Sequence, residues 1–365
     1  MVHRRQVSVQ MSEGVMAMAL HRGLDKEDFR MISEQPLPWE KLRDASVLVT
    51  GGNGLIASAF VDALLQCEAA QRVNVSVTVL CRSREKAEMR FGAYMDNPRF
   101  HLLLQDVCEP LPENEKFQYI LHAASPSHPL AFSKTPVDVL KANFLGTMQM
   151  LESARQNNSR MLYISSGEVY GANPEDMDAM PETYPGMVAS MQPRACYPEG
   201  KRAAEALCAS YGQQYGVDAV AARLCYVYGA SITEDNSRAD AQFLRNALKG
   251  EDIVMKSAGT QLRTYCYLAD CISGLLFILL CGQSGEAYNI ANRDSVVTIR
   301  QYAQVLADVA GVSLCFENPS DQEKAGYSAR GRSVLDGSKL EKLGWKPVWT
   351  IQDGLQKTFW LSQEK

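Results

Sequence analysis

The stretch Ser46–Ala57 reads SVLVTGGNGLIA, and it decides the fold. The apolar run Ser46–Thr50 predicts a buried parallel strand, and the residues Ala57–Leu65 predict a helix. Of the glycines between them, Gly51 permits a tight turn, and Gly54 lets a pyrophosphate approach the backbone at the helix N-terminus. A strand, a glycine turn and a helix in this order are typical of dinucleotide binding. The residues predicted to contact the dinucleotide in this turn are Gly51, Asn53, Gly54, Leu55 and Ile56.

Strand and helix patterns continue to alternate after this turn. Long helices are predicted at Pro136–Gln156 and Tyr197–Tyr215. Strands separated by helices predict an α/β fold with a Rossmann-type, doubly wound parallel sheet. The further predicted strands are Val75–Cys81, His101–Asp106, Tyr119–Ala124, Met161–Ser165, Ala219–Leu224 and Ala287–Ala291.

The domain organisation follows from where the strand signal weakens. Residues 1–43 precede the first strand and are predicted to form an N-terminal extension. Residues 44–225 plus 263–295 are predicted to form the dinucleotide-binding domain. Residues 226–262 plus 296–365 contain fewer strand patterns and more loops, and we expect them to form a smaller C-terminal substrate lobe.

Composition excludes several classes of function. A net charge of −5 and a pI near 5.7 argue against binding to nucleic acid or to anionic membranes. No apolar run reaches the roughly 18 residues that a membrane helix needs, and the N-terminus lacks an apolar signal region. The ten cysteines are scattered without metal-ligand spacing, and the five histidines form no cluster. We therefore expect a cytoplasmic protein with reduced thiols and no metal site.

A second motif, Tyr197–Lys201, reads YPEGK and indicates acid–base chemistry. A tyrosine and a lysine four residues apart share one helix face, so the ammonium, helped by a bound nicotinamide cation, is expected to lower the pKa of the phenol. A phenolate formed in this way could take a proton from a sugar hydroxyl near neutral pH. Upstream, the segment Ser165–Gly171 reads SSGEVYG, and Ser166 is expected to hold the same hydroxyl.

With these motifs assembled, the chain resembles the extended short-chain dehydrogenases/reductases of the nucleotide-sugar epimerase/dehydratase family. The resemblance covers about residues 45–358, and within the family it is greatest to the UDP-glucuronate decarboxylases. The segments that carry it are Leu121–Pro129 (LHAASPSHP), Tyr197–Arg202 (YPEGKR), Gly259–Asp270 (GTQLRTYCYLAD), Arg332–Asp336 (RSVLD) and Leu343–Pro347 (LGWKP).

The resemblance implies an enzyme with internal redox catalysis on a nucleotide sugar. The cofactor would take hydride from sugar C4, a transient 4-keto sugar would react, and the same cofactor would return the hydride. The implied catalytic residues are Tyr197, Lys201, Ser166 and Glu168. The implied further cofactor contacts are Asp106, Val107, Ala123 and Asn143, together with Tyr197 and Lys201. The implied substrate contacts are Ser125, Glu168, Arg238, Arg263 and Arg332. Relatives also imply a homodimer, formed through the two long helices.

Three residues bear on which reaction is catalysed. Glu168 favours decarboxylation or dehydration, because both need a proton carrier beside C5. Gly167 departs from the family pattern, since dehydratases have an aspartate there and decarboxylases a small hydroxyl residue. Tyr226 stands where the decarboxylases have asparagine. UDP-glucuronate decarboxylation is the nearest model, and 4-epimerisation and 4,6-dehydration remain as alternatives.

Arg82 leaves the choice of cofactor open. The second strand ends without the acidic residue that usually holds the ribose hydroxyls of NAD, and a guanidinium suits the 2′-phosphate of NADP. Relatives with internal redox favour NAD, whereas Arg82 favours NADP and a net sugar reductase. A dinucleotide-sensing binding protein is the alternative outside enzymes, and the presence of both Tyr197 and Lys201 argues against it.

Overall fold

Seven parallel strands form the main sheet of the protein. The computed structural model describes residues 23–174, 176–231, 236, 238–317 and 331–363. In spatial order the sheet runs β10-β6-β5-β4-β1-β2-β3, which confirms the predicted Rossmann-type topology. Its strands are β1 (Ser46–Thr50), β2 (Ser76–Cys81), β3 (Phe100–Leu104), β4 (Tyr119–His122), β5 (Arg160–Ser166), β6 (Ala219–Leu224) and β10 (Ala287–Ile290).

Helices cover both faces of this sheet. The described helices are α1 (Lys26–Glu34), α2 (Leu55–Gln66), α3 (Glu68–Arg72), α4 (Arg84–Phe91), α5 (Pro129–Lys134), α6 (Pro136–Asn157), α7 (Cys196–Tyr215), α8 (Ala239–Leu248), α9 (Leu268–Cys281), α10 (Ile299–Ala310), α11 (Ser338–Glu341) and α12 (Ile351–Gln363). The most apolar of them, α9, is almost entirely buried, as its sequence predicts.

The strand order reverses between β1 and β4, which are adjacent in space but not in sequence. A crevice forms outside the carboxyl ends of parallel strands at such a point, and ligands bind there in open α/β sheets. The glycine turn follows β1 and the segment Ala123–Pro129 follows β4, so both predicted ligand-binding loops lie at this crevice.

Two smaller sheets lie outside the main sheet. One contains β7 (Tyr226–Tyr228), β9 (Leu262–Tyr267), β11 (Val296–Thr298) and β13 (Arg332–Ser333), and the other pairs β8 (Ile253–Met255) with β12 (Leu314–Phe316). Residues 263–295 are predicted to belong to the dinucleotide-binding domain. Strand β9 pairs with β7, β11 and β13 instead, because an apolar strand reads the same whichever sheet it joins.

The N-terminal extension is anchored from Gly23 onward, while residues 1–22 lie outside the described part of the chain. Asp25 caps α1, and its side chain accepts a hydrogen bond from the Asp28 amide. Lys357 of α12 donates to both carboxylate oxygens of Asp25 at 2.9 and 2.8 Å and to Glu27 at 2.9 Å. The first and last described helices are therefore joined by an ion-pair network.

Replacing Lys357 by methionine should loosen this network. Burial, and then the charge of Asp25, raise the pKa of Asp28 to about 7, and Lys357 opposes that shift. Without the ammonium, three carboxyl groups face one another, and we expect the free energy of unfolding to fall by about 1–3 kcal/mol. Urea denaturation measures this change. Arg43→Met, which breaks an exposed pair with Glu40, should cost under about 1 kcal/mol, and equal losses in both variants would contradict the account.

Candidate active site

Tyr197 and Lys201 lie on the first turns of α7 and are buried with their side chains together. The helix enters the crevice beside the carboxyl end of β5, where Ser166 ends the strand. The Lys201 Nζ atom lies 5.6 Å from the centre of the Tyr197 ring and 4.8 Å from that of Tyr163. The shared face that the four-residue spacing predicts is therefore present.

The Lys201 ammonium is held by the backbone. Its Nζ donates to the Ile164 carbonyl at 2.6 Å. Burial lowers the pKa of Lys201 to about 7, against a smaller opposing effect of the Glu205 carboxylate. A lysine with this pKa can change its charge near neutral pH, which suits a group beside a proton-transferring phenol.

The pKa of Tyr197 differs from the expectation. Burial and then the negative charge of Glu168 raise it to about 12, while Arg238, the Ser166 hydroxyl and Arg194 lower it. The Lys201 ammonium donates to a backbone carbonyl rather than to the phenol oxygen, and the predicted lowering also requires a bound nicotinamide cation. Ser166 lies close enough to Tyr197 to lower its pKa, and its contact with the sugar hydroxyl stays a prediction.

Glu168 faces this pair from the short 3₁₀ turn Gly167–Tyr170 that follows β5. The Ser166 hydroxyl caps this turn and accepts from the Glu168 amide at 3.2 Å. The Glu168 carboxylate accepts from Arg194 Nη2 with both of its oxygens, each at 2.9 Å. Glu168 therefore lies in one cluster with Ser166, Tyr197 and Arg194.

The glycine turn has the shape that a dinucleotide needs. Gly51 has φ +69°, and a Cβ there would lie 2.8 Å from the Ala124 Cα atom. Gly54 is the N-cap of α2, and among the described residues no side chain caps that helix, so its first amides remain available to phosphate oxygens. The Asn53 Oδ1 atom is buried and has no partner within the described residues. These features fit a bound pyrophosphate, with Leu55 and Ile56 supplying the first helical amides.

Arg82 and Asp106 end neighbouring strands and face each other. Their charged atoms are 3.7 Å apart, and Arg82 is exposed. Asp106 also accepts from the Cys108 amide, and Val107 is buried beneath it. A 2′-phosphate at Arg82 would lie against the Asp106 carboxylate, so the pair disfavours NADP.

Asn143 of α6 is buried below the crevice and positions Ser125. Its Nδ2 atom donates to the Ser125 hydroxyl at 2.9 Å and to the Val139 carbonyl at 2.8 Å. Its Oδ1 atom accepts from the Tyr163 hydroxyl at 3.1 Å. Asn143 therefore has a fixed orientation before any ligand binds.

A chain of buried polar side chains connects Tyr163, which donates to Asn143, to Thr50 at the end of β1. The Thr50 hydroxyl accepts from the amides of Ala123 and Ala124, each at 3.1 Å, so its own hydrogen is directed at His122 Nδ1, 2.8 Å away. The other ring nitrogen of His122 lies 3.1 Å from Thr147, which hydrogen-bonds Tyr163 in turn. The assigned tautomer of His122 is thus the one protonated at Nε2.

His122 should make the protein sensitive to acid. Burial, followed by the nearby Lys201 charge, lowers the pKa of His122 from 6.5 to about 3. Between these values the unfolded histidine binds a proton that the folded one does not, so stability falls as the pH falls below 6.5. From pH 6.5 to about pH 5, wild type should lose about 2 kcal/mol more than His122→Asn. Urea denaturation at both pH values measures the difference, and parallel losses would contradict a buried neutral imidazole.

The three predicted substrate arginines have different surroundings. Arg238 caps the start of α8 and donates to the Ser127 carbonyl at 2.9 Å. Arg263 is buried, stacks on Tyr226 with its Cζ atom 4.4 Å from the ring centre, and donates to the Tyr226 hydroxyl. Arg332 donates to the Asp178 carbonyl at 2.5 Å. Arg238 also acts electrostatically on Tyr197, and the substrate roles of all three stay predictions.

Gly167 lies against Leu335 of the smaller lobe. A Cβ at Gly167 would be 3.0 Å from Leu335 Cδ1 and 3.4 Å from the Leu224 carbonyl oxygen. A larger side chain at this position would therefore meet the Leu335 side chain.

Sequence reasoning missed Arg194, Tyr163 and the His122 chain. Arg194 precedes Tyr197 by three residues, which was the available signal, but its partner Glu168 is 26 residues away. Tyr163 and His122 appeared only as members of apolar strands. Within the described residues, no group of acidic, histidine or cysteine side chains could hold a metal ion. None of the helices in those residues has the length and apolarity needed to cross a membrane.

Comparison with known proteins agrees with this geometry. The model of the NAD dependent epimerase/dehydratase family matches residues 47–291. UDP-glucuronic acid decarboxylase 3 of Arabidopsis thaliana is 33% identical over 312 residues, which are 85% of this chain and 86% of that protein. UDP-glucuronic acid decarboxylase 1 of Xenopus tropicalis is 32% identical, over 86% of this chain and 70% of that protein.

Solved structures show the same architecture. A dTDP-glucose 4,6-dehydratase from Streptomyces venezuelae, crystallised with NAD and TYD, superposes with a TM-score of 0.74 at 26% identity. The match covers 87% of this chain and 97% of that one. The fold and the Tyr–Lys–Ser arrangement at a glycine turn are those of a dinucleotide-dependent enzyme. The chain belongs to the NAD-dependent epimerase/dehydratase family, as its sequence motifs predict.

Proposed function

We propose that this protein is a nucleotide-sugar decarboxylase that acts through a transient 4-keto sugar, with UDP-glucuronate as its substrate. The observation that carries this proposal is the cluster of Tyr197, Ser166 and Glu168 around one point at the mouth of the crevice, with Lys201 buried behind Tyr197. The sequence identity of 33% and 32% to two UDP-glucuronic acid decarboxylases supports UDP-glucuronate as the substrate.

Each residue of the cluster has a role in this reaction. Ser166 Oγ would hold the C4 hydroxyl, and Tyr197 Oη would take its proton once the positive charge of the bound nicotinamide has lowered the pKa of the phenol from about 12. Bound beside Tyr197 and Lys201, NAD would supply a hydride acceptor for C4 and, once reduced, the hydride donor for the same carbon. The resulting C4 ketone is β to the C6 carboxylate, so the C5–C6 electron pair can pass toward the ketone oxygen as carbon dioxide leaves. Glu168, which is partly exposed, would pass a proton from solvent to C5, and Tyr197 would return its proton to the C4 oxygen when the hydride is returned to C4.

The packing at Gly167 supports decarboxylation over dehydration. Eliminating water from C6 needs an acid beside that carbon, and glycine cannot supply one. Leu335 fills the volume next to Gly167, so a larger side chain at this position would meet it. Loss of carbon dioxide needs no acid at this position.

The cofactor is NAD, in keeping with the family, and the crevice offers a site for each part of it. The glycine turn from Gly51 to Ile56 would hold the pyrophosphate, and Asp106 and Val107 would border the adenine. Ala123 and Asn143 would border the nicotinamide half, beside Tyr197 and Lys201. The ion pair between Arg82 and Asp106 leaves no uncompensated charge for a 2′-phosphate.

Substrate contacts are proposed for the side of the crevice that the smaller lobe covers. We assign residues 226–262 and 296–365 to this lobe, with β9 pairing into its sheet. Arg238 and Arg263 would bind the diphosphate or the sugar carboxylate, and Ser125 the sugar. Arg332 would join them by leaving its contact with Asp178.

Mass spectrometry of UDP-glucuronate, UDP-glucose and dTDP-glucose after incubation with the purified protein and NAD tests the proposal. We expect UDP-glucuronate to lose one carbon dioxide and the two glucose derivatives to keep their mass. Loss of water from a glucose derivative would establish a dehydratase instead. Unchanged masses with a new chromatographic peak would establish an epimerase, and no change at all would contradict every reaction in this panel. The Glu168→Gln variant, which lacks the proposed proton carrier, is the control that shows whether conversion depends on this carboxylate.

We also propose a homodimer formed through α6 and α7, which pack against each other. Val137, Leu140 and Phe144 lie on one face of α6 and are 60%, 40% and 42% exposed. Phe144→Asp places a charge in this apolar stripe, and the dimer should become a monomer. Light scattering during size-exclusion chromatography measures the mass. Arg72→Gln, on the distant helix α3, should leave the dimer intact, and a monomeric wild type would overturn the proposal.

A cytoplasmic location is proposed from the thiols. All ten cysteines are free, and several of them are buried between strands and helices where they pack as small apolar residues. Fractionation of cells that express the full chain tests this location, and recovery from a secreted or membrane fraction would contradict it.

A further inference from the structure

Arg194 stands at the entrance of the site without a role in the chemistry described so far. It belongs to the 3₁₀ turn Pro193–Ala195, which leads directly into α7. Its Nη2 atom is 2.9 Å from each carboxylate oxygen of Glu168, so one donor group contacts both acceptors. The side chain of Arg194 is 51% exposed and that of Glu168 is 21% exposed. The pair therefore lies where the buried cluster meets solvent.

Arg194 also contacts the wall of the site. Its Cζ atom lies 4.5 Å from the centre of the Phe132 ring, and that ring is 4.8 Å from the Tyr197 ring. Phe132 belongs to α5, which follows the Ser125 loop. One guanidinium thus bridges three segments that carry predicted site residues: the Glu168 turn, the helix after the Ser125 loop, and the entry to α7.

Because the Arg194–Glu168 pair is partly exposed, its effect on catalysis can be measured apart from any effect on folding. Ion pairs in contact with solvent contribute little to stability, so removal of Arg194 should leave the fold intact. The charges nevertheless act on the site, because Glu168 raises the pKa of Tyr197 and Arg194 lowers it. Arg194 therefore fixes the orientation of the carboxylate and offsets its charge near Tyr197.

We propose that Arg194 is a positioning residue that holds the Glu168 carboxylate toward Tyr197 and affects catalysis through that carboxylate. This inference rests on the proposed function, since it assumes that Glu168 serves the reaction. Arg194 itself needs no contact with the reacting atoms of the sugar.

A double-mutant cycle tests the inference. Arg194→Gln should lower kcat about tenfold and leave KM within about twofold, because the carboxylate loses orientation while the substrate contacts remain. In a Glu168→Gln background, the same substitution should change kcat by about twofold or less. Arg194→Lys keeps the charge and should recover part of the loss. Arg72→Gln, which breaks the exposed pair with Glu68, is the matched control and should retain full activity.

The possible outcomes can be told apart. Equal effects of Arg194→Gln in both backgrounds, or full activity of the single variant, would overturn the positioning role while wild-type turnover still supports the proposed function. If wild type converts no sugar, the pairing is tested without turnover. In protein labelled with ¹⁵N-arginine, the Arg194 Nε–H resonance, assigned by its loss in Arg194→Gln, should shift in Glu168→Gln. An unchanged resonance would contradict the pairing itself.

Discussion

Replacing Tyr197 by phenylalanine should reduce kcat by about 10²–10⁴-fold, the range that removal of a general acid–base group produces. The substitution removes one oxygen and keeps the ring that packs on Phe132 at 4.8 Å. The free energy of unfolding should change little, because the ring that packs on Phe132 is retained and only the reacting oxygen is lost. Product formation from UDP-glucuronate, followed by chromatography, measures the loss.

Tyr215→Phe is the matched control for this prediction. Tyr215 ends the same helix, is exposed, and accepts from Gln214 at 2.8 Å at the far end from the site. This variant should keep wild-type kcat. If Tyr197→Phe also retained activity within about tenfold, Tyr197 would not be the proton-accepting group.

Replacing Gly51 by alanine should damage both folding and cofactor binding. The residue has φ +69°, where a side chain costs about 1–2 kcal/mol, and the new Cβ would press on the backbone of Ala124 at 2.8 Å. Overpacking of this kind adds about 1–3 kcal/mol, so the free energy of unfolding should fall by about 2–5 kcal/mol. A displaced turn should also weaken NAD binding at least about tenfold.

Gly311→Ala separates the cost of the left-handed backbone from the cost of the close Cβ contact. Gly311 has the same φ of +69°, but no described atom lies within 4 Å of its added Cβ. It should lose only the backbone part, about 1–2 kcal/mol, and should bind NAD normally. Urea denaturation and calorimetric titration with NAD measure both effects. A folded Gly51→Ala protein that binds NAD as tightly as wild type would contradict the assignment of the turn.

Local sequence patterns were sufficient for the main sheet. The run Ser46–Thr50 and the β-branched run of β2 are buried strands because continuous apolar residues suit a strand covered on both faces. The long helix predicted from Pro136 ends at Asn157, and Asn158 closes it in the left-handed conformation. The pairing of β9 with β7, β11 and β13 could not be predicted, because strand propensity does not specify which sheet a strand joins.

In the candidate site too, a contact within one helix could be predicted from the sequence, whereas contacts between separate segments could not. The Tyr197–Lys201 pair was predictable because helical spacing alone brings these residues to one face. The direction of the pKa shift of Tyr197 was not, because it depends on burial and on Glu168, which lies on another segment. Tyr226 and Arg263 are 37 residues apart, and their hydrogen bond arises from the pairing of β7 with β9. Such contacts become visible only in three dimensions.

The most direct test of the account uses UDP-glucuronate that carries deuterium at sugar C4, with NAD present in less than stoichiometric amount. Mass spectrometry should show a product that has lost one carbon dioxide, has kept the deuterium, and exceeds the NAD in amount. That result would mean that the hydrogen removed from C4 stays in the site and returns to the same sugar. A product without deuterium, or no loss of carbon dioxide, would contradict internal redox decarboxylation.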